Sequence, residues 1–406
     1  MTNTNMHEGM AEATRLTRAG RLNEATALIQ RTLGNQTTDG VPNSGSWSSP
    51  GAFGTTIPTT APRIPVPGTS DPGVFRTSAS RPTTARTHTP RQTSKRKPEP
   101  TTSPSTGRFV AGSHGNAAGT RSYKLYVPSE ADEHAGQSLP LVVMLHGCTQ
   151  NPDDFAAGTG MNALAERGDF FVVYPEQSGS ANMQRCWNWF QARDQYRGQG
   201  EPSIIADITR EVMATQQVDP RRVYVAGMSA GGAMAATMAA TYPDLYAAAG
   251  VHSGLAHGAA SDMPSAFRAM KQGAPDAAQA NLHAPGTTGA ADLTRSVPTI
   301  VFHGDSDTTV HRRNGEQVLN QWSGAATVAG KATVRKGQAS GGRAYTHSVY
   351  RDADGRPVAE RWIVHGAGHA WSGGDPRGSY TDPQGPDASA EMARFFRQHA
   401  LEHKSG

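Results

Sequence analysis

The chain has 406 residues, 36% of them apolar and 18% charged, with 45 glycines and 27 prolines. Both percentages are low for a compact protein, so part of the chain is expected not to pack. The net charge is +4 and no apolar run reaches the roughly 18 residues of a spanning helix, which excludes a strongly polyanion-seeking core and a transmembrane class.

Residues 6–33 read as two short helices. Met10, Ala13, Leu16 and Ala19 form one apolar stripe, and Leu22, Ala25, Leu28, Ile29 and Leu33 a second, broken at Gly20-Arg21. The wording from Ala19 to Ala25 looks like part of a tetratricopeptide hairpin, without a second copy. One hairpin, assigned to residues 1–35, cannot bury its own apolar face. It is expected to dock on the main domain, self-associate or bind a partner of unknown kind. Residues 36–106 are rich in Pro, Ser, Thr, Gly and Arg and read as a disordered linker. Arg63, Arg76, Arg81, Arg86, Arg91, Lys95, Arg96 and Lys97 outweigh Asp39, Asp71 and Glu99 there, so the rest of the chain is close to neutral. A basic tail can hold a polyanion or an anionic surface. A solvated linker is the simpler reading, and no nucleic-acid partner is expected.

The remainder, 107–406, alternates strand and helix signals. Tyr123–Pro128 alternates and stops at proline; Leu139–Leu145 is a continuous apolar run. Asn162–Arg167 is a helix closed by Gly168, and Phe170–Pro175 the next strand. Ser203 is the N-cap candidate of an amphipathic helix reaching about Gln216. Strands follow at Val223–Ala226, Ala247–His252 and Thr299–Phe302, then a hairpin over Arg343–Val364 turning at Asp352–Gly355, and a closing helix at Ala388–His399. This alternation predicts an α/β domain with a mostly parallel central sheet. The segment 255–296 is long for a connection and is read as either a lid or surface filler.

The chemistry starts at Gly227-Met228-Ser229-Ala230-Gly231, set between a β-branched stretch and an alanine-rich helix pattern. Strand, Gly-x-Ser-x-Gly, helix is the layout of a nucleophile elbow. A serine hydroxyl needs a base and an orienting acid. Downstream, His303-Gly304-Asp305-Ser306-Asp307 and His365-Gly366-Ala367-Gly368-His369 each open from a strand end. Asp307 is preferred over Asp305 as the acid, with Asp305 bonding the turn. His369 is preferred as the base over His365, His311 and His252, the last read as a satisfied core histidine. The amides of Ala230 and Cys148 are the candidates for an oxyanion hole. Cys148 and Cys186 are either two thiols or one bridge. Trp187, Trp189 and Trp371 are the aromatic candidates for substrate contact, with core packing as the alternative. No metal-ligand spacing, Walker loop or dinucleotide fingerprint is present, so neither metal nor cofactor is implied.

Leu145–Pro152, Phe171–Gln177, Cys186–Trp189 and Gly227–Gly232, in that order, resemble the esterase family of poly(3-hydroxybutyrate) depolymerases. The resemblance covers 107 onward. It implies an α/β-hydrolase fold, carboxylic-ester hydrolysis, roles of nucleophile, acid and base for Ser229, Asp307 and His369, and an oxyanion contact from Cys148. Feruloyl and acetyl-xylan esterases belong to the same family, so the ester is either a poly- or oligo(3-hydroxyalkanoate) or a plant-wall ester. A third reading makes the hairpin and linker a docking device for a polymer granule or a partner, with the hydrolase secondary. Secreted depolymerases usually carry a signal peptide and a polymer-binding domain. Neither is visible, so a cytoplasmic enzyme is expected, with an extracellular one as the alternative.

Overall fold

The computed structural model describes residues 107–132, 136–275, 296–328 and 332–402. The hairpin expected over 1–35 and the linker over 36–106 lie outside the described residues, as does the 276–295 part of the segment read as a lid.

One ten-stranded sheet organises the domain, in the order β1-β2-β4-β3-β5-β6-β7-β10-β9-β8. Its centre is parallel: β4 (Phe171–Pro175), β3 (Leu139–Leu145), β5 (Val218–Met228), β6 (Ala248–His252), β7 (Thr299–Gly304) and β10 (Pro357–Val364). Antiparallel strands extend both sides, β2 (Gly119–Val127) and β1 (Arg108–Asn116) on one, β9 (Ala344–Arg351) and β8 (Thr333–Gln338) on the other. This is the α/β-hydrolase arrangement. β1 and β8 were not legible in the sequence; both are exposed or half-buried along their length and bury no side chain fully.

Both faces of the sheet are covered, which is why its central strands are apolar throughout. Leu141, Val143 and Leu145 point to one side with Ile204, Ile205, Ile208 and Val212 of α3 (Gly200–Thr215) and Met234 and Met238 of α4 (Ala230–Thr241). Val142 and Met144 point to the other, with Phe155 of α1 (Pro152–Thr159), Met161 of α2 (Met161–Gly168) and Met392 and Phe396 of α7 (Ala388–Phe396). Between them in sequence come α5 (Met263–Gln272) and α6 (Arg313–Val328).

One boundary corrects the sequence reading. Ser203 does not cap α3; the helix begins three residues earlier, after Gln199. The Asp194 carboxylate, from the preceding turn, accepts the Glu201 amide at 2.7 Å and does the capping. Ser203 Oγ instead donates to the Gly200 carbonyl at 2.8 Å.

Candidate active site

Ser229 lies between the end of β5 and the start of α4 with φ 57° and ψ −120°. A non-glycine residue rarely holds a positive φ. Here the Ser229 amide donates to the His252 carbonyl at 2.9 Å and its carbonyl accepts from Ala233 at 2.9 Å, which fix the turn from both sides. The flanking glycines are steric requirements. A Cβ on Gly231 would stand 2.0 Å from the Leu145 carbonyl oxygen, and one on Gly227 would stand 2.3 Å from the Gly231 oxygen. The close approach brings the end of β3 against the N-terminus of α4.

Two loops from the C-terminal ends of β7 and β10 meet Ser229. Ser229 Oγ lies 2.9 Å from His369 Nε2, and His369 Nδ1 lies 2.8 Å from Asp307 Oδ2. With Nδ1–H donating to the carboxylate, Nε2 is left to accept the serine proton. The other carboxylate oxygen, Oδ1, accepts the amides of Thr309 at 2.9 Å and Val310 at 2.8 Å. Burial works to raise the Asp307 carboxyl. The His369 charge and hydrogen bond, nearby His303 and the Val310 amide outweigh it and hold the group below the usual carboxylate range. The loops are also stitched together, since Asp305 N donates to Val364 O and Ser306 N to Ala367 O, each at 3.1 Å.

The other candidates are placed apart from this line. Asp305 accepts from His365 Nδ1 at 2.8 Å and from the Gly366 amide at 2.7 Å, so it does bond the turn. His365 Nε2 accepts from Thr346 Oγ1 at 2.9 Å. His311 stands just before α6, where its Nδ1 accepts the Arg313 amide at 3.2 Å. His252 is 1% exposed, and its Nε2 accepts the Ser372 amide at 2.9 Å. Burial, with smaller repulsion from His303 and His369, pushes its pKa down to about 3, which keeps it neutral.

Cys148 and Cys186 are bridged, with S–S 2.08 Å across 38 residues. The bridge ties the loop after β3 to the loop that follows β4. Around it, Gly147 N donates to Gln150 Oε1 at 2.9 Å and Thr149 N to Gln184 O at 2.6 Å. Among the described residues, neither the Cys148 amide nor the Ala230 amide has a hydrogen-bond acceptor. A Cβ on Gly147 would lie 3.6 Å from Ser229 Cβ, so the Cys148 loop runs directly beside the serine. His146, just before, is buried. Its Nδ1 donates to the Gly147 carbonyl at 2.7 Å, its Nε2 accepts the Gln177 amide at 3.1 Å, and burial lowers its pKa to about 4.

Sequence reasoning missed what holds the Cys186 loop. Glu201, 3% exposed at the start of α3, accepts the Asn188 amide at 2.7 Å, Asn188 Nδ2 at 2.8 Å and Arg121 Nη2 at 3.2 Å. Gln177 joins this buried group and donates to the Cys186 carbonyl at 2.9 Å. A carboxylate in the first turn of an apolar helix was the available signal.

The three tryptophans require correction. Trp187, Trp189 and Trp371 are 0%, 5% and 1% exposed, so none presents a ring surface to a ligand. Trp371 is drawn inward by β11 (Trp371–Ser372) pairing with β12 (Thr381–Asp382). Its ring stacks on His252 at 4.9 Å and its indole N–H donates to Ser389 Oγ at 3.0 Å. Trp187 packs near His146, with ring centroids 5.8 Å apart, and Trp189 meets Phe190 edge-on at 5.6 Å. They are wall and support, which is the core-packing alternative.

Poly(3-hydroxyalkanoate) depolymerase C of Paucimonas lemoignei is 37% identical over 246 residues, covering 60% of this chain and 57% of that protein. Feruloyl esterase B of Neurospora crassa is 32% identical over 52% of this chain and 73% of its own length. Acetylxylan esterase A of Talaromyces purpureogenus is 31% identical over 53% and 56%. The chain thus spans less than two thirds of the first and third of these relatives. Among solved structures, an acetyl xylan esterase from Aspergillus awamori shares the fold, with a TM-score of 0.56 at 21% identity, over 72% of this chain and 100% of that one. The family model described as esterase PHB depolymerase matches residues 121–341, more than half of the sequence. The chain belongs to the esterase PHB depolymerase family.

Proposed function

We propose that the protein is a serine carboxylic-ester hydrolase that cleaves poly- or oligo(3-hydroxyalkanoates). The observation that carries the reaction type is the continuous line from Ser229 Oγ through His369 to the buried Asp307 carboxylate, at 2.9 and 2.8 Å. In this mechanism Ser229 Oγ attacks the ester carbonyl carbon while its proton passes to His369 Nε2. The carbonyl oxygen becomes an oxyanion between the Cys148 and Ala230 amides. The ester C–O bond breaks, and the imidazolium returns the proton to the leaving alkoxide. Water, deprotonated by the same imidazole, then attacks the acyl carbon and releases the acid and free Ser229. Asp307 holds the ring tautomer and stabilises the imidazolium. No step calls for a metal or an organic cofactor.

The substrate class is supported by the family model and by the Paucimonas lemoignei relative. The feruloyl and acetylxylan esterase relatives support plant-wall esters as a second reading. Among the described residues no helix is long and apolar enough to cross a membrane. The Cys148–Cys186 bridge supports an oxidising compartment over the cytoplasmic location expected from sequence.

Hydroxy-acid release from amorphous poly(3-hydroxybutyrate) granules, with Ser229→Ala as control, tests the proposal. Serine-dependent release is expected, with turnover lowered about 10⁴-fold or more in the variant. Serine-dependent cleavage of acetyl or feruloyl esters without release from the polymer would instead select the second reading.

A further inference from the structure

Among the described residues, six non-glycine residues hold a positive φ: Thr149, Asp169, Arg185, Ser229, Ser253 and Tyr380. Such conformations cost of order 1–3 kcal/mol each and persist where the surroundings over-determine them, commonly at functional sites. Four of the six belong to the site through their immediate neighbours, and Asp169 caps the C-terminus of α2. Thr149 follows Cys148, Arg185 precedes Cys186, Ser253 follows His252, and Ser229 is the nucleophile. Tyr380, with φ 53°, has no part in the chemistry described above, yet its loop lies against the Cys148 loop.

The loop that carries Tyr380 is pinned hard against the Cys148 loop. Ser379 N donates to Asp154 Oδ1 at 2.8 Å, and Gln150 Nε2 reaches both Asp154 Oδ2 at 3.0 Å and the Ser379 carbonyl at 3.2 Å. The Tyr380 carbonyl accepts the Trp371 amide at 2.6 Å, two residues beyond His369. The effect is to set the phenol oxygen 3.1 Å from Thr149 Oγ1. Thr149 is exposed and Tyr380 partly so, so this contact lies at the solvent side of the pinned loops. Thr149 Cα is only about 3.8 Å from Cys148 Cα, one peptide away from the oxyanion amide.

The direction of the hydrogen bonds is fixed by chemistry. Thr149 Oγ1 donates its one proton to the Cys148 carbonyl at 2.6 Å. It can therefore only accept from Tyr380, which spends its own proton on that bond. The phenol oxygen keeps acceptor lone pairs and has no proton left to give. It suits a ligand that donates, so a hydroxyl and not a carbonyl.

We infer that Tyr380, positioned through Thr149, is a specificity-determining residue that accepts a hydrogen bond from a hydroxyl on the acyl side of the ester. This rests on the serine-hydrolase reading above and deepens its substrate class to hydroxyl-terminated acyl chains.

The test compares two p-nitrophenyl esters that share a leaving group, the 3-hydroxybutyryl and the butyryl ester. Wild type, Tyr380→Phe, Thr149→Val and Thr149→Ser are assayed on both, with thermal melts to show each variant folded. Tyr380→Phe is expected to lower kcat/KM about 5- to 20-fold on the hydroxy ester through KM, and under about twofold on the butyryl ester. Thr149→Val should reproduce the selective loss, and Thr149→Ser should restore it. Equal losses on both esters, or no loss on either, overturn the inference. Failure of the hydrolase reading looks different: Ser229→Ala would then hydrolyse both esters as fast as wild type.

Discussion

Asp305 and Asp307 stand two residues apart on one loop, and each accepts a hydrogen bond from a different histidine, His365 and His369. Their surroundings separate their roles. The Asp307 side chain is sealed from solvent and accepts two loop amides besides, whereas the Asp305 and His365 side chains are 26% and 41% exposed. Asp307→Asn should lower kcat on a soluble short-chain ester by about 10⁴-fold, because the amide would favour the wrong imidazole tautomer. Asp305→Asn should change kcat less than about tenfold, since an exposed pair contributes under about 1 kcal/mol. Steady-state kinetics of the two variants check this. The reverse order would make Asp305 the acid.

The Cys148–Cys186 bridge closes a loop of 38 residues. In the chain-entropy model a crosslink of that span stabilises the fold by about 4 kcal/mol. Reduction, or the double change Cys148→Ser with Cys186→Ser, should therefore lower the urea midpoint clearly. It should also depress kcat more than it raises KM, because the Cys148 amide loses its fixed place beside Ser229. An unchanged urea midpoint with full activity after complete reduction would show that the Glu201 network alone holds these loops.

Among the described residues four histidines are buried and held below the usual histidine pKa, His146, His252, His257 and His303. Burial first of all lowers His146 and His257 to about 4 and His252 to about 3, from 6.5 when unfolded. Between those values the unfolded chain binds protons that the folded one refuses. Stability is thus complete above pH 6.5 and falls with acid, by about 1.4 kcal/mol per pH unit for each histidine, until the folded values are reached. Urea titrations at stepped pH should show this slope, and His257→Gln should remove one histidine's share of it at pH 5. His257 is the clean choice, since its ring meets Thr237 and lies outside the Ser229 line. A flat profile between pH 7 and pH 5 would contradict the burial of these rings.

Much of the fold was legible because the central strands are buried on both faces and so read as unbroken apolar runs. Leu139–Leu145 matches β3 to the residue, and the hairpin turn at Asp352–Gly355 separates β9 from β10 as expected. β1 and β8 escaped because an exposed edge imposes no such pattern. At the site, Ser229, Asp307 and His369 share a strand-end context that sequence shows directly. The tryptophans did not, because an indole near a histidine in sequence can turn either way; the β11–β12 pairing that turns Trp371 inward joins residues ten apart. Tyr380 was invisible for the same reason. Its partner, Thr149, lies 231 residues away, and nothing local marks a tyrosine that holds a left-handed backbone.

As the last strand of the sheet, β8 presents solvent with one row of peptide groups that has no strand beside it among the described residues. Such a rim is a template on which a second molecule can stack. Thr333, Val334, Arg335 and Lys336 are all exposed there, and the two adjacent cations make approach of an identical strand repulsive. The charge on this rim therefore bears on colloidal behaviour: it keeps a sheet without a closed perimeter from growing edge to edge into aggregates.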